Sequence, residues 1–368
     1  MRIIDNACNG LRAASANTSV PAWAGGTPII KYELRRDTAE SPEFIYRARS
    51  TIRSASNTTR PGITPALWQR IAPSANTWDI TGAAVSDYPT WSSGGTIGAG
   101  EIVYDAWDLS DYEAISEITT NDTRPSVAVE SADTAVARRW KRRGIANAHR
   151  MFDGQTATRT RGDHEANLVA GFTTNGNVDT VTLYALRGVA SVKLDSLNSS
   201  GTQLATETKT LTYTGDAGSA STVTFTTGAY ARFRVTLTRA SGSSRVECGM
   251  ISAGVAVSVG DADQEVRLIG ENFSRTEENE WGNIDFLQRG YLTEAQARIY
   301  VDHARLDVVV GVLNRMQGKP ASFDLNNSGI AFEHMRLWGW YPGFSAGYTT
   351  GTGKAEIALN IRALVEQA

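Results

Sequence analysis

Val178-Asp179-Thr180-Val181-Thr182-Leu183-Tyr184-Ala185-Leu186 sets Val181, Leu183 and Ala185 against Thr180, Thr182 and Tyr184. A two-residue period of this kind is the signature of a strand with one face to bury. Residues 191–197 continue the pattern, and Gly201 makes a turn. Further extended segments are expected at 208–213, 222–226, 230–237 and 246–259, with a loop at 215–219. Strand signals at this even spacing are expected of a sandwich, because each strand has one apolar face to cover and one to leave wet.

Working outward, the C-terminal part reads differently. Thr293-Glu294-Ala295-Gln296 has the form of a capping box, whereas the alternation through Ile299 and Val301 favours a strand at that point. Leu306, Val309, Val310 and Leu313 stand at helical spacing, and Gly318-Lys319-Pro320 is a helix stop. Segments 321–325, 335–340 and 355–364 return to strand. Residues 260–368 are therefore predicted as an α+β domain with one helix on an antiparallel sheet. On the N-terminal side, Ile30, Tyr32 and Leu34, then Phe44, Tyr46 and Ala48, predict two strands around a polar turn. Residues 54–76, rich in Ser, Thr, Asn and Pro, read as connection.

The predicted fold class is mainly β and multidomain. Residues 1–76 form an extended N-terminal segment that packs with the C-terminal domain. Residues 77–144 form a small aromatic-rich β module, 145–259 the sandwich and 260–368 the α+β domain. Composition agrees with this, since 34 glycines and ten prolines punctuate many turns. A net charge of −3 over 368 residues creates no field that would draw the whole chain to nucleic acid or an anionic membrane. No run approaches the ~18 apolar residues of a membrane helix, and the N-terminus has no apolar signal region, so a soluble cytoplasmic product without membrane insertion is expected. Cys8 and Cys248 cannot build a disulfide framework or a cysteine metal site, and both are read as reduced.

Catalytic signatures are sparse. His149, His164, His303 and His334 include no pair at metal-ligand spacing on one helix, and there is no nucleophile elbow. Asp261, Asp263 and Glu265 lack the remaining ligands of a calcium loop and read as a solvated turn. Glu277, Glu278 and Glu280 before Trp281 are the nearest cluster to a glycoside-hydrolysis pair, but the favoured reading is a charged loop. Arg161-Gly162-Asp163 reads as an ordinary polar turn. No catalytic residue, metal or cofactor is assigned, and the chain is expected not to be an enzyme.

Binding signals concentrate between Tyr88 and Asp153. Trp91, Trp107 and Tyr112 are candidate sugar-stacking residues, because an aromatic face packs well on the C–H face of a sugar ring. Filling the core of so small a module is the competing role for the same side chains. The basic run contributes Arg138, Arg139, Arg142 and Arg143 as candidate interface residues, suited by their planar fork to holding carboxylates across a subunit contact or an anionic glycan.

The order Tyr88-Pro89-Thr90-Trp91, then Gly98 through Tyr104, Asp111-Tyr112-Glu113-Ala114 and Arg139-Trp140, resembles the small chitin-binding modules. It departs from them in the longer stretch 105–110. The run Asn147-Ala148-His149-Arg150-Met151-Phe152-Asp153 before a sandwich of jelly-roll or galactose-binding-like type resembles tail proteins of tailed bacteriophages. Arg275, Trp281-Gly282-Asn283, Arg289-Gly290 and the segment around Leu313 are similar to tail-tip proteins of the same long-tailed viruses.

These resemblances imply a structural subunit of a distal tail or baseplate, assembled in the host cytoplasm into the virion tail. Its implied partners are further copies of itself in a ring, the tail tube and hub proteins, and host surface polysaccharide. A lectin-like receptor-binding protein is the alternative, followed by a polysaccharide-degrading enzyme.

Overall fold

The computed structural model describes residues 1–6, 22–26, 29, 34–37, 44–48, 52, 60–61, 67–73, 77–105, 109–119, 125–126, 139–211, 221–262, 266–272, 275–278, 284–287, 291–325, 335–348 and 353–363. In chain order the first strands are β1 (Arg2–Asn6), β2 (Leu34–Asp37), β3 (Phe44–Ala48), β4 (Trp68–Pro73) and β5 (Thr77–Thr81). Next come β6 (Ile102–Asp105), β7 (Ser110–Ala114) and β8 (Trp140–Ile145), a 3-10 helix over Asn147–Phe152, and β9 (Thr160–Arg161). The sandwich strands are β10 (Leu168–Leu186), β11 (Val189–Leu197), β12 (Gln203–Thr210), β13 (Ser221–Arg239), β14 (Glu247–Cys248) and β15 (Met250–Ser258). The C-terminal part holds β16 (Asp261–Ala262), β17 (Arg267–Asn272), β18 (Arg275–Glu278), β19 (Ile284–Leu287), β20 (Tyr291–Asp302), α1 (Leu306–Met316), β21 (Ala321–Asp324), β22 (Arg336–Trp340), β23 (Phe344–Tyr348) and β24 (Lys354–Ala363).

The architecture is mainly β and antiparallel, as the alternation requires. β10 and β13 pair along most of their length, with register slips between Thr173 and Val178 that bend both strands. One edge of β10 carries β5 at its first half and β15 at its second. Val181, Leu183, Val192, Leu194, Phe225, Phe233 and Val235 all point into one core. Phe172 stacks on Phe233 at 5.5 Å and meets Phe152 edge-on at 5.8 Å, so the 3-10 helix is anchored from below. The predicted segments 222–226 and 230–237 are a single strand, β13.

One further expectation needs correction. Residues 54–76 are not connection throughout, because β4 adds to β3 and completes a three-stranded sheet with β2. The capping-box form at Thr293 opens no helix, in keeping with the strand that the alternation favours there. It lies in β20, which is paired on one side with β17 and on the other with β24. Pairing on both edges, with Ala295 and Ala297 buried beneath, outweighs a four-residue local preference. The sheet continues past residue 259. β1 lies between β15 and β21, and one sheet runs from β12 through β1 to β20.

Met1 and Ile3 join the core of the C-terminal part, where Leu306, Val309, Leu313 and Met316 close α1 onto Ala297, Ile299, Ile357 and Leu359. Gly318, at φ +71°, ends that helix before Pro320. Across the junction the Tyr184 hydroxyl bonds the Ser322 hydroxyl, and Trp338 Nε1 donates to the Gly154 carbonyl at 2.8 Å.

Candidate functional site

The aromatic module is the three-stranded sheet β6-β7-β8. Val103, Tyr112, Ala114 and Trp140 alternate inward from the three strands and pack with Ile97 and Ile118, while Trp91 lies half-buried against them. Tyr112 is only 2% exposed, so neither face of its ring is open to a sugar. The sugar-stacking role expected of Tyr112 is thereby corrected to a core role, because a module with so few apolar residues needs its aromatics to exclude water. Trp91 keeps part of its surface, and Trp107 lies outside the described residues.

The basic run is placed on β8 and its approach. Arg142 donates from Nε and Nη2 to Ser110 Oγ at 3.1 and 2.7 Å, and Arg143 Nη2 pairs with Glu113 Oε2 at 2.6 Å. Both guanidiniums hold β8 to β7 within the chain. Arg139 is exposed, and Arg138 lies outside the described residues.

Beyond β8 the chain turns into the 3-10 helix, and here a cleft opens between the module and the sandwich. Asn147 fixes the turn, with Nδ2 donating to the Ala84 and Arg161 carbonyls at 3.1 and 2.8 Å and Oδ1 accepting from Arg161 N at 2.8 Å. Met151 N donates to Thr160 Oγ1 at 2.9 Å. The helix is therefore held on both sides, and Arg150 projects from a fixed base. Its Nε donates to the Ile145 carbonyl at 3.1 Å, and its Nη2 lies 3.8 Å from Asp111 Oδ2.

The cleft encloses about 450 Å³ and is lined by Tyr88, Asp111, Arg143, Arg150, Asp153 and Thr158 with the backbone around Gly144. Tyr88 stands at its rim with 38% of its surface exposed. Asp111 Oδ1 accepts from Ser86 Oγ at 2.7 Å. Asp153 accepts from Gln155 N at 2.8 Å and Thr158 Oγ1 at 2.5 Å.

Burial raises the pKa of both acids. For Asp111 it outweighs the Ser86 hydrogen bond and the charge of Arg150. For Asp153 it outweighs the bonds from Thr158 and Gln155 and again Arg150, leaving the carboxyl at about 6. The site thus sets one guanidinium between two carboxyls and a partly open aromatic face. The guanidiniums of Arg143 and Arg150 can donate to a polyol and Asp153 can accept from it, while a ring packs on Tyr88.

None of these positions was assigned a role from sequence alone except Arg143. A signal was present, since Arg150 and Asp153 are three residues apart and so share one side of a helical turn. Asp111 was hidden, because only the β7 register carries it to Arg150.

The other candidates are placed elsewhere. In Arg161-Gly162-Asp163 the backbone N–H of Gly162 and of Asp163 donate to Val246 and Gly82 carbonyls, both at 2.7 Å, and Asp163 Oδ1 accepts from Ala84 N. That tripeptide stitches β9 to its neighbours. Glu277 and Glu278 lie on β18, paired with Asp285 and Ile284 of β19, and Glu280 is outside the described residues. Among the described residues no three His, Cys, Asp or Glu side chains come together as a metal ion would need, and no helix is long and apolar enough to cross a membrane.

No family model and no curated protein matches the chain. Solved structures do match over part of it. The lectin-binding domain of Lectinolysin complexed with Lewis b is 13% identical over 29% of this chain and 82% of that one, with a TM-score of 0.24. Chitosan-binding module 1 of a chitosanase/glucanase from Paenibacillus sp. IK-5 is 24% identical over 28% and 81%, with a TM-score of 0.23. A CBM32 module of a family 31 glycoside hydrolase from Clostridium perfringens is 10% identical over 29% and 82%, with a TM-score of 0.20. Part of the chain is therefore weakly similar in structure to carbohydrate-binding modules.

Proposed function

We propose that this chain is a non-catalytic structural subunit of the distal tail or baseplate of a tailed bacteriophage, and that it contacts host surface saccharide through the cleft between module and sandwich. The observation that carries the saccharide contact is Arg150 fixed beside Asp111 on a helix pinned by Asn147 and Thr160, with Tyr88 open at the rim. Among the described residues two acids and two arginines line the same cleft, so these charges nearly cancel and a neutral sugar suits it better than an anion. The virion setting rests on the sequence resemblance of residues 147–153 ahead of the sandwich and of the C-terminal part. In that setting the chain assembles with copies of itself, and with tube and hub proteins, in the host cytoplasm.

A non-catalytic role is consistent with Asp111, whose oxygens are engaged by Ser86 and Arg150 and which is nearly shut from solvent. The test is binding of the full chain to purified polysaccharide from the host surface, by surface plasmon resonance. Tyr88→Ala should weaken binding about tenfold, as expected for loss of about 1.4 kcal/mol of stacking, and Tyr88→Trp should restore it. Equal binding by all three proteins would refute the cleft as the contact. A chain that stays monomeric and fails to co-purify with tail components would refute the virion assignment and leave a free lectin.

A further inference from the structure

The face of the C-terminal sheet away from α1 carries a second and larger cavity, of about 750 Å³, which shares no lining residue with the cleft above. Strand register builds it. Along β20 and β24 the residues Ala295, Ala297, Ile299, Val301, Ala355, Ile357, Leu359 and Ile361 turn inward and are buried. The intervening Gln296, Arg298, Ala358 and Asn360 must therefore face outward.

Arg267 of β17 stands opposite Gln296, which stands opposite Asn360, so a guanidinium and two carboxamides lie in one rung across three strands. Neighbouring Cβ atoms in such a rung are roughly 5 Å apart. Two residues along β20, Arg298 stands opposite Ala358, and Ala358 stands opposite Ser345 of β23. The small Ala358 leaves the floor low, and Pro342 and Gly343 form a wall.

The chemistry of this lining differs from that of the cleft. Two arginines and no carboxylate are among its described residues, beside the amides of Gln296 and Asn360 and the hydroxyl of Ser345. Asn360 Oδ1 is buried and has no hydrogen-bond partner among the described residues. Arg298 Nε is 3.7 Å from Glu356 Oε1, a long contact that a ligand anion can compete with, since Arg298 is well exposed and Glu356 partly so. A ligand that satisfies the set must offer an anion to the guanidiniums and hydroxyls to the amides. We infer that this cavity is a second binding site, for a carboxylate-bearing saccharide such as a uronate unit of an acidic polysaccharide. Its volume is in the range of sites that enclose a ligand of this size.

Isothermal titration of the full chain with a galacturonate trimer, and with the neutral galactose trimer, tests the assignment. The acidic trimer should bind and the neutral one should bind at least tenfold more weakly. Arg267→Gln with Arg298→Gln should abolish the preference while leaving the melting temperature near wild type, because both side chains are exposed. Glu356→Gln, which releases Arg298 from its acid, should tighten the acidic trimer severalfold. No binding of the acidic trimer, equal binding of both trimers, or unchanged affinity in the double variant would overturn the site. So would a loss of affinity in Glu356→Gln, since the removed acid competes with the ligand.

Discussion

Asp153→Asn should stabilise the protein at alkaline pH and leave it nearly unchanged in acid. The carboxyl of Asp153 is raised from 3.8 to about 6, chiefly by burial. A buried acid of this kind favours its neutral form, so the folded state carries a penalty whenever Asp153 is ionised. The penalty is absent below the unfolded pKa of about 4, grows as pH rises to about 6, and is complete above that. A difference of about 2 pH units corresponds to at most ~3 kcal/mol at ~1.4 kcal/mol per unit. Because part of the side chain meets solvent, screening lowers this to about 1–2 kcal/mol.

Asparagine keeps the acceptor for Gln155 N, and the Thr158 hydroxyl can reverse to accept from the new amide. Urea denaturation of both proteins at about pH 3.5 and about pH 8 measures the effect. The variant should gain about 1–2 kcal/mol at the higher pH and within ~0.3 kcal/mol of nothing at the lower. A variant equally or less stable than wild type at pH 8, or a gain independent of pH, would refute burial as the cause.

The remaining predictions concern the scaffold. Gly249→Ala places a Cβ 2.7 Å from the Ala185 Cβ and 2.8 Å from the Thr156 carbonyl oxygen. A loss of about 1–3 kcal/mol is expected on denaturation, since backbone cannot yield cheaply there. Tyr184→Phe removes the hydroxyl that bonds Ser322 across the junction between sandwich and C-terminal sheet. It should cost about 1–3 kcal/mol, and limited proteolysis should speed at that junction while the sandwich core stays protected. Cys248 is fully buried and its thiol is pushed up to about 12. Iodoacetamide should leave it unmodified in the native protein at neutral pH and label it quantitatively in urea, as read by mass spectrometry of its peptide.

Local patterns reported some elements faithfully. Leu306, Val309 and Leu313 could be placed on one helix face because a helix repeats within its own residues, and Gly318 marks its end by its own backbone preference. Thr293-Glu294-Ala295-Gln296 carries two conflicting local signals for the converse reason: its strand state is imposed by β17 and β24, which lie up to about seventy residues away. Tyr112 was open to two roles, sugar contact or core. Whether an aromatic ring faces solvent depends on what covers it, and Ile97, Ile118 and Trp140 come from three other segments.

By itself, the sequence determined the class of architecture and its punctuation. The two-residue period in 178–197 and 355–361 leaves each strand one face to bury, and the composition supplies the turns. Only the tertiary structure decided where chemistry gathers. Arg150 and Asp153 are neighbours in sequence, but Asp111 reaches them through β7 pairing with β8, and Tyr88 through the path of its loop. The rung Arg267, Gln296 and Asn360 exists solely because three strands align in one register. Periodicity is a property of a segment and can be read along it. Register and burial belong to pairs of segments, and their energies appear only when the chain has closed on itself.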